Sequence, residues 1–246
     1  MTATPVVIVT GAASPIGQAV ARRFEANGAR LALGDLMAGP LAKFAEELGG
    51  ETIQVSGDLS KEGIAAELIG EAKRKFGRID VLVNNAGGGI IRDFLKHTPG
   101  TLRETVDRNL WTCLWCCREA LPHMIEQNFG RIVNVGADSV RNGLWQHAAY
   151  NAAKGGMHGL TTGLAREFAG YDITINTVAP CMVNTPTVKA AAAAGNPVIQ
   201  KFTDIIPKGR PAETEEVASM IAYLASDEAR FVTGQVISVN GGSTML

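Results

Sequence analysis

Tyr150 and Lys154 stand four residues apart in Tyr150-Asn151-Ala152-Ala153-Lys154, a spacing that puts both side chains on one face of a helix. A phenol with an ordinary pKa of about 10 is a weak base at neutral pH, and an ammonium beside it favours the phenolate. The pair can then pass a proton to or from an alcohol or carbonyl oxygen. A tyrosine and a lysine at this spacing also describe an ordinary amphipathic surface, so the chemistry needs a partner elsewhere in the chain.

That partner is implied near the N-terminus, where the apolar run 6–9 leads into Thr10-Gly11-Ala12-Ala13-Ser14-Pro15-Ile16-Gly17. Glycines let a backbone turn sharply against a pyrophosphate, and the helix that follows offers free N–H groups at its positive end. Ser14 suits the N-cap and Pro15 the first helical position. Asp35 lies 18 positions beyond Gly17, close to the spacing of about 20 for a carboxylate that accepts the adenosine ribose hydroxyls. A carboxylate there repels a 2′-phosphate, and residues 33–37 contain no Arg or Lys to neutralise one, so the pattern favours NAD over NADP. The competing role for Asp35 is a cap on the next helix.

These groups must be positioned by the elements between them. Short β-branched runs at 6–9, 31–33, 52–55, 81–83, 131–135, 174–178 and 236–239 alternate with helical patterns at 16–27, 42–48, 64–76, 102–127, 152–168 and 215–224. The alternation predicts a single α/β domain with a doubly wound sheet of about seven parallel strands, helices on both faces, and chemistry at the carboxyl ends of the strands. Only 184–210 breaks the rhythm, and such an insertion suits a lid over a substrate site.

The 246 residues are 46% hydrophobic and 19% charged with a formal net charge of −1. That supplies one core and no basic excess for nucleic acid or anionic lipid, which leaves small molecules as the expected partners. Without a charged leader or an apolar run of about 20 residues, the expected location is the cytoplasm. Cys113, Cys116 and Cys117 lie in an apolar helical stretch and read as small core residues rather than metal ligands; Cys181 has no local histidine to activate it as a thiol nucleophile.

Taken jointly, Thr10-Gly11 through Gly17, Asp58-Leu59, Asn84-Asn85-Ala86-Gly87, Asn109, Tyr150-x-x-x-Lys154, Pro180 with Thr185, and Asn240-Gly241-Gly242 resemble the short-chain dehydrogenases/reductases over nearly the whole chain. The resemblance implies a Rossmann fold and an NAD-dependent exchange of a secondary alcohol with its ketone. It also implies that Gly11, Ser14, Ile16, Gly17 and Asp35 hold the nucleotide with Asp58 and Leu59 along the adenine. Asn85, Ala86 and Gly87 would lie near the nicotinamide half, and Pro180, Val183 and Thr185 near its amide. Tyr150 would be the acid/base, Lys154 would lower its pKa and hold the ribose, and Asn109 would hold a water in a proton relay. Relatives commonly form tetramers through their two long helices, here 102–127 and 152–168, so a homotetramer is expected.

Three positions depart from the family pattern: Ala137 where a serine usually orients the substrate, Pro15 at the middle glycine of the turn, and Cys181 where glycine usually follows Pro180. If the strand stays extended past 135, Ser139 points to the same side as 137 and substitutes as donor. Otherwise orientation is done without a serine, the enzyme is impaired, or the alanine was introduced deliberately to trap a complex. Residues 138–141 and 87–89 resemble dehydrogenases of aromatic and alicyclic acid breakdown, whose substrates are ring alcohols or cis-diols. The region 207–210 and the C-terminal segment resemble 3-oxoacyl-carrier-protein reductases equally. Arg92 and Arg141 are candidate pocket cations, with solvated surface charge as the alternative. Outside catalysis, Ala137 motivates a dinucleotide-binding sensor or assembly subunit.

Overall fold

The computed structural model describes residues 4–245. Seven parallel strands, β1 (Val6–Thr10), β2 (Arg30–Asp35), β3 (Thr52–Ser56), β4 (Val81–Asn84), β5 (Gly130–Val135), β6 (Ile173–Pro180) and β7 (Val236–Val239), form one sheet in the order β3-β2-β1-β4-β5-β6-β7. Every residue of β1, β4, β5 and β6 is buried, as expected where helices cover both faces of a parallel sheet.

Alternating side chains serve the two faces. Val7 and Val9 point to the layer made by α1 (Pro15–Ala26), α2 (Ala38–Glu46) and, later in the chain, α10 (Thr214–Leu224), where they meet Val20, Phe24, Phe44 and Ile221. Ile8 points to the opposite layer, packed against Leu68 and Ile69 of α3 (Glu62–Phe76), Met124 of α5 (Thr112–Glu126) and Met157 of α7 (Ala148–Glu167). Each such side chain removed from water contributes about 1.5–3 kcal/mol.

The remaining helices sit at the carboxyl ends of the strands. They are α4 (Pro99–Val106), the one-turn α6 (Ser139–Asn142), α8 (Pro186–Ala193) and α9 (Pro197–Asp204). Strand order reverses between β1 and β4, each of which leads away to a different side of the sheet; this is where a doubly wound sheet opens a ligand crevice.

The fold differs from the sequence-based expectation in three places. The helix expected over 102–127 is α4 and α5 joined through a π-turn at Asp107–Trp111. The wider turn carries Asn109, and such single-turn bulges often mark functional positions. The expected insertion at 184–210 contains α8 and α9, each started by Pro behind a side-chain cap, Thr185 and Asn196. The strand ending at Val135 does not continue: Asp138 takes helical angles and α6 begins at Ser139.

Candidate active site

The turn after β1 fixes the first half of the site. Gly11 has φ +62, and a Cβ there would lie 2.8 Å from Cα of Ala86, so only glycine lets the β1 and β4 ends approach so closely. Thr10 Oγ1 accepts the Asn85 N–H at 3.0 Å and the Ala86 N–H at 2.9 Å. The Asn85 amide nitrogen donates to Thr10 O, Gly11 O and Ser14 Oγ at 2.9–3.0 Å. Ser14 is the N-cap of α1, accepting from the Gly17 N–H at 3.2 Å, and Pro15 opens the helix. Proline in place of glycine is therefore accommodated where no helical N–H is needed.

Asp35 ends β2 with one carboxylate oxygen accepting from Ala13 N and the other from Met37 N, both at 2.9 Å. It holds the glycine turn and the entry to α2 together, and each oxygen keeps a lone pair for a further donor. Asp35 lines an open cavity of about 440 Å³ with Gly11, Ser14, Asp58, Leu59, Asn85 and Ala86. Met37, Pro40 and Arg108 complete its walls. A second cavity of about 370 Å³ shares Ser14, Asn85 and Gly87 with the first and continues to Tyr150, Lys154, Pro180, Val183 and Thr185. Together they make one groove across the carboxyl ends of the strands, with Ile16 in the second part. Gly17 lines neither part; a Cβ there would meet Gly11 O at 2.2 Å, so it supports the turn from behind.

Tyr150 and Lys154 share one side of α7, with the Lys154 ammonium 5.9 Å from the phenol ring centre. Lys154 is buried and donates to Val135 O at 2.7 Å. Burial pushes its pKa down to about 8, partly opposed by Cys113. Burial likewise pushes the Tyr150 phenol up to about 12, although its ring faces the cavity. Both shifts have one cause, removal of a charged form from water.

Asn109 lies behind this pair, fully buried on the π-turn. Its oxygen accepts from Gly88 N at 3.1 Å, and its amide donates to Gly88 O at 2.9 Å and Thr105 O at 2.8 Å. A Cβ on Gly87 would fall 2.7 Å from that oxygen and 3.2 Å from Lys154 Nζ, so Asn109 and Lys154 flank the same glycine.

Ala137 lines the cavity and has no hydroxyl to offer. The expectation that Ser139 substitutes as a donor is corrected in its premise. The backbone turns into α6, and the Ser139 hydroxyl donates to Asn151 Oδ1 at 2.6 Å, leaving only lone pairs for a ligand. Arg141 is not a pocket cation either, because its guanidinium is bound to Ser238 Oγ and Val236 O at 2.9 and 2.8 Å. Arg92 is exposed, as a surface charge.

Cys181 lines the cavity, but burial raises its thiol pKa and its Sγ points to Met182 O. Cys113, Cys116 and Cys117 are buried and free, and burial pushes the Cys116 thiol beyond the range in which a thiolate forms readily. Among the described residues no group of His, Cys, Asp and Glu is arranged to hold a metal ion, and no helix is long and apolar enough to cross a membrane.

Several functional positions were not found from the sequence. Thr10 could have been, since it stands in the glycine turn itself. Asp138 is buried and accepts from Ser238, Asn240 and Thr244 at 3.0–3.1 Å, and from Ser243. It thus ties the end of β7 to the floor of the cavity. His158 sits under Gly136, where a Cβ would meet its Nε2 at 2.4 Å; burial, aided by Arg141 and Lys154, lowers its pKa to about 4 and keeps it neutral. His147 stands in the cavity wall on a connection, and Phe202 on the short helix α9 inside the stretch read as an insertion.

A phosphate-binding turn, an acidic β2 end and a half-buried Tyr150 beside a buried Lys154 on one groove define a dinucleotide-dependent oxidoreductase site. Comparison with known proteins agrees. Residues 11–244 match the family model described as enoyl-(acyl carrier protein) reductase, and the chain belongs to the short-chain dehydrogenases/reductases. It is 56% identical over 245 residues to 2,3-dihydroxy-2,3-dihydro-p-cumate dehydrogenase of Pseudomonas putida, covering 98% of this chain and 95% of that one. It is 37% identical over 251 residues to 1,6-dihydroxycyclohexa-2,4-diene-1-carboxylate dehydrogenase of Acinetobacter baylyi, covering 96% and 95%. The crystal structure of levodione reductase superposes with a TM-score of 0.90 at 30% identity, covering 97% and 96%.

Proposed function

We propose that this chain is an NAD-dependent dehydrogenase of a carbocyclic cis-diol, with a ring carboxylate on the natural substrate. The observation that carries the reading is the Tyr150–Lys154 pair at one end of a groove whose other end is closed by Asp35. Two similar proteins named as dehydrogenases of ring diol acids supply the substrate class. The apolar walls made by Leu144, Met182, Phe202 and Ile205 suit a carbocycle.

Gly11, Ser14, Ile16 and Asp35 would hold the adenosine and pyrophosphate, with Asp58 and Leu59 along the adenine. Asn85, Ala86, Gly87, Pro180, Val183 and Thr185 would hold the nicotinamide half. A nicotinamide held by these residues would supply the acceptor for the hydride of the alcohol carbon. Tyr150 takes the hydroxyl proton of that alcohol, and Lys154 stabilises the phenolate through its ammonium. Asn109 fixes Gly87 and Gly88 beside them and would hold a relay water behind Lys154. The ketone formed from a dihydrodiol then enolises to an aromatic catechol.

Asp35 favours NAD by charge, and that preference separates this reading from a 3-oxoacyl-carrier-protein reductase using NADPH. A homotetramer in the cytoplasm accompanies the proposal. An apolar groove between α5 and α7, lined by Trp115, Leu121, Ile125, Leu160 and Phe168 beside exposed Trp111, supports association through these helices. A particle of monomer mass in light scattering at micromolar concentration would remove the tetramer.

The deciding experiment follows reduction of NAD, and separately of NADP, against ring cis-diols with and without a carboxylate, cyclohexanol-type acids and hydroxyacyl thioesters. Turnover of the cis-diols with NAD is expected. Thioester turnover with NADP would favour the reductase, and NADH binding without any turnover would favour a non-catalytic sensor.

A further inference from the structure

The site lacks the serine that would orient a substrate oxygen, yet one uncommitted polar atom stands beside Tyr150. His147 precedes α7, and its ring lies edge-on to the Tyr150 ring with centroids 5.9 Å apart. The Phe202 ring of α9 lies 5.7 Å from it, also edge-on. Its Nδ1 is 2.7 Å from Trp145 O. A carbonyl oxygen can only accept, so Nδ1 carries the proton and Nε2 of the neutral ring is a bare acceptor. Among the described residues no hydrogen bond engages that Nε2.

The chain works to place this ring. Gln146, immediately before it, has φ +65, a left-handed conformation rarely adopted by a residue with a side chain. The turn is held by the segment after β4, where Gln146 Nε2 donates to Asp93 Oδ1 at 2.8 Å and Gln146 O accepts from Arg92 N at 3.3 Å. Strain kept in place by such ties is characteristic of functional positions.

We infer that His147 Nε2 accepts a hydrogen bond from the second, non-reacting hydroxyl of a vicinal cis-diol while Tyr150 takes the proton of the first. His147 is thus a specificity-determining residue that does part of the orienting which Ala137 cannot do. The inference rests on the proposed diol dehydrogenase activity and deepens it. A mono-alcohol offers nothing to this acceptor, so the acceptor favours the diol, as sites built to bind a hydroxyl do.

The test compares wild type, His147→Phe, His147→Gln and Ser139→Ala on three substrates: a ring cis-diol carrying a carboxylate, a ring cis-diol without one, and a ring mono-alcohol carrying one. The phenylalanine keeps the ring contacts and removes the acceptor; the glutamine restores a polar atom near the Nε2 position. The ratio of kcat/KM for either diol to that for the mono-alcohol is expected to fall at least tenfold in His147→Phe and to recover in part in His147→Gln. NADH binding, followed by fluorescence, shows that each variant is folded. An unchanged ratio overturns the inference while leaving the diol dehydrogenase standing. So does a loss that follows the carboxylate instead of the second hydroxyl, or one found only in Ser139→Ala. If wild-type protein oxidises no cis-diol, the functional reading and this inference fall together.

Discussion

At the nucleotide end of the groove, the Thr10 hydroxyl and the Asn85 side-chain amide bind main-chain groups of Asn85, Ala86 and Gly11 and so lock the ends of β1 and β4 together. At the substrate end, Leu144 and His147 come from the connection between α6 and α7, Met182 from the segment after β6 and Phe202 from α9, and all four line one cavity. The first end is fixed by backbone geometry and serves a ligand common to many proteins. The second is set by side-chain identity on segments that can change without disturbing the sheet, so specificity resides there.

The sharpest way to break this contrast is Tyr150→Phe, which should lower kcat by about 10²–10⁴, the usual worth of a positioned acid/base. NADH binding should survive, because the nucleotide end is untouched; a titration of bound NADH beside steady-state rates checks both. Undiminished turnover would refute the assigned chemistry.

Asp35→Ala addresses the other end and should raise the preference for NADP relative to NAD about tenfold, since one repelling charge is gone. It should also lower stability by about 1–3 kcal/mol, because the Ala13 and Met37 N–H groups lose their acceptor. Kinetics with both cofactors and urea unfolding test the two halves of that statement.

Ala137→Ser would restore the usual hydroxyl at the substrate end. A gain in kcat/KM of about tenfold or less is expected for cis-diols, below the 10²–10³ commonly attached to a lost donor, because His147 already orients the substrate. A larger gain would mean that the site is impaired as it stands.

The last effect is on stability against pH. Lys154 titrates at about 8 in the fold and at about 10.4 when unfolded, so between these values the unfolded chain holds the extra proton. Stability from this group therefore rises with pH over that window and is lowest below pH 8. Tyr150, held up at about 12, acts in the opposite sense above about pH 10. Urea unfolding should show the rise from pH 8 to 10 in wild type and lose it in Lys154→Met.

What was legible in the sequence follows the same division. The strands, the glycine turn, Ser14 as cap and the Tyr150–Lys154 pair were readable because backbone geometry restricts which residues fit there. Asp35 was readable as a nucleotide ligand or as a local hydrogen-bond partner, and the structure shows the second without removing the first. The course of the chain to Ser139 was misjudged because a two-residue alternation was extended past Val135, where the chain begins a helical turn. The π-turn at Asn109 left no trace, since one extra residue in a helical turn hardly alters apolar spacing. His147 lay on a connection and Phe202 on a two-turn helix within the insertion, and only the folded chain brings them together.

The carboxylate of Asp138 gives the cavity floor a dependence on the order of synthesis. Its partners Ser238, Asn240, Ser243 and Thr244 lie about a hundred residues downstream. A growing chain that has already made Tyr150 and Lys154 still presents a buried carboxylate with most of its donors missing. At about 5–20 residues per second, that interval lasts several seconds on the ribosome. During it neither the cavity floor nor the layer that α10 completes over β1 and α1 is in place, and a chaperone holding the nascent protein would meet it half built in that sense.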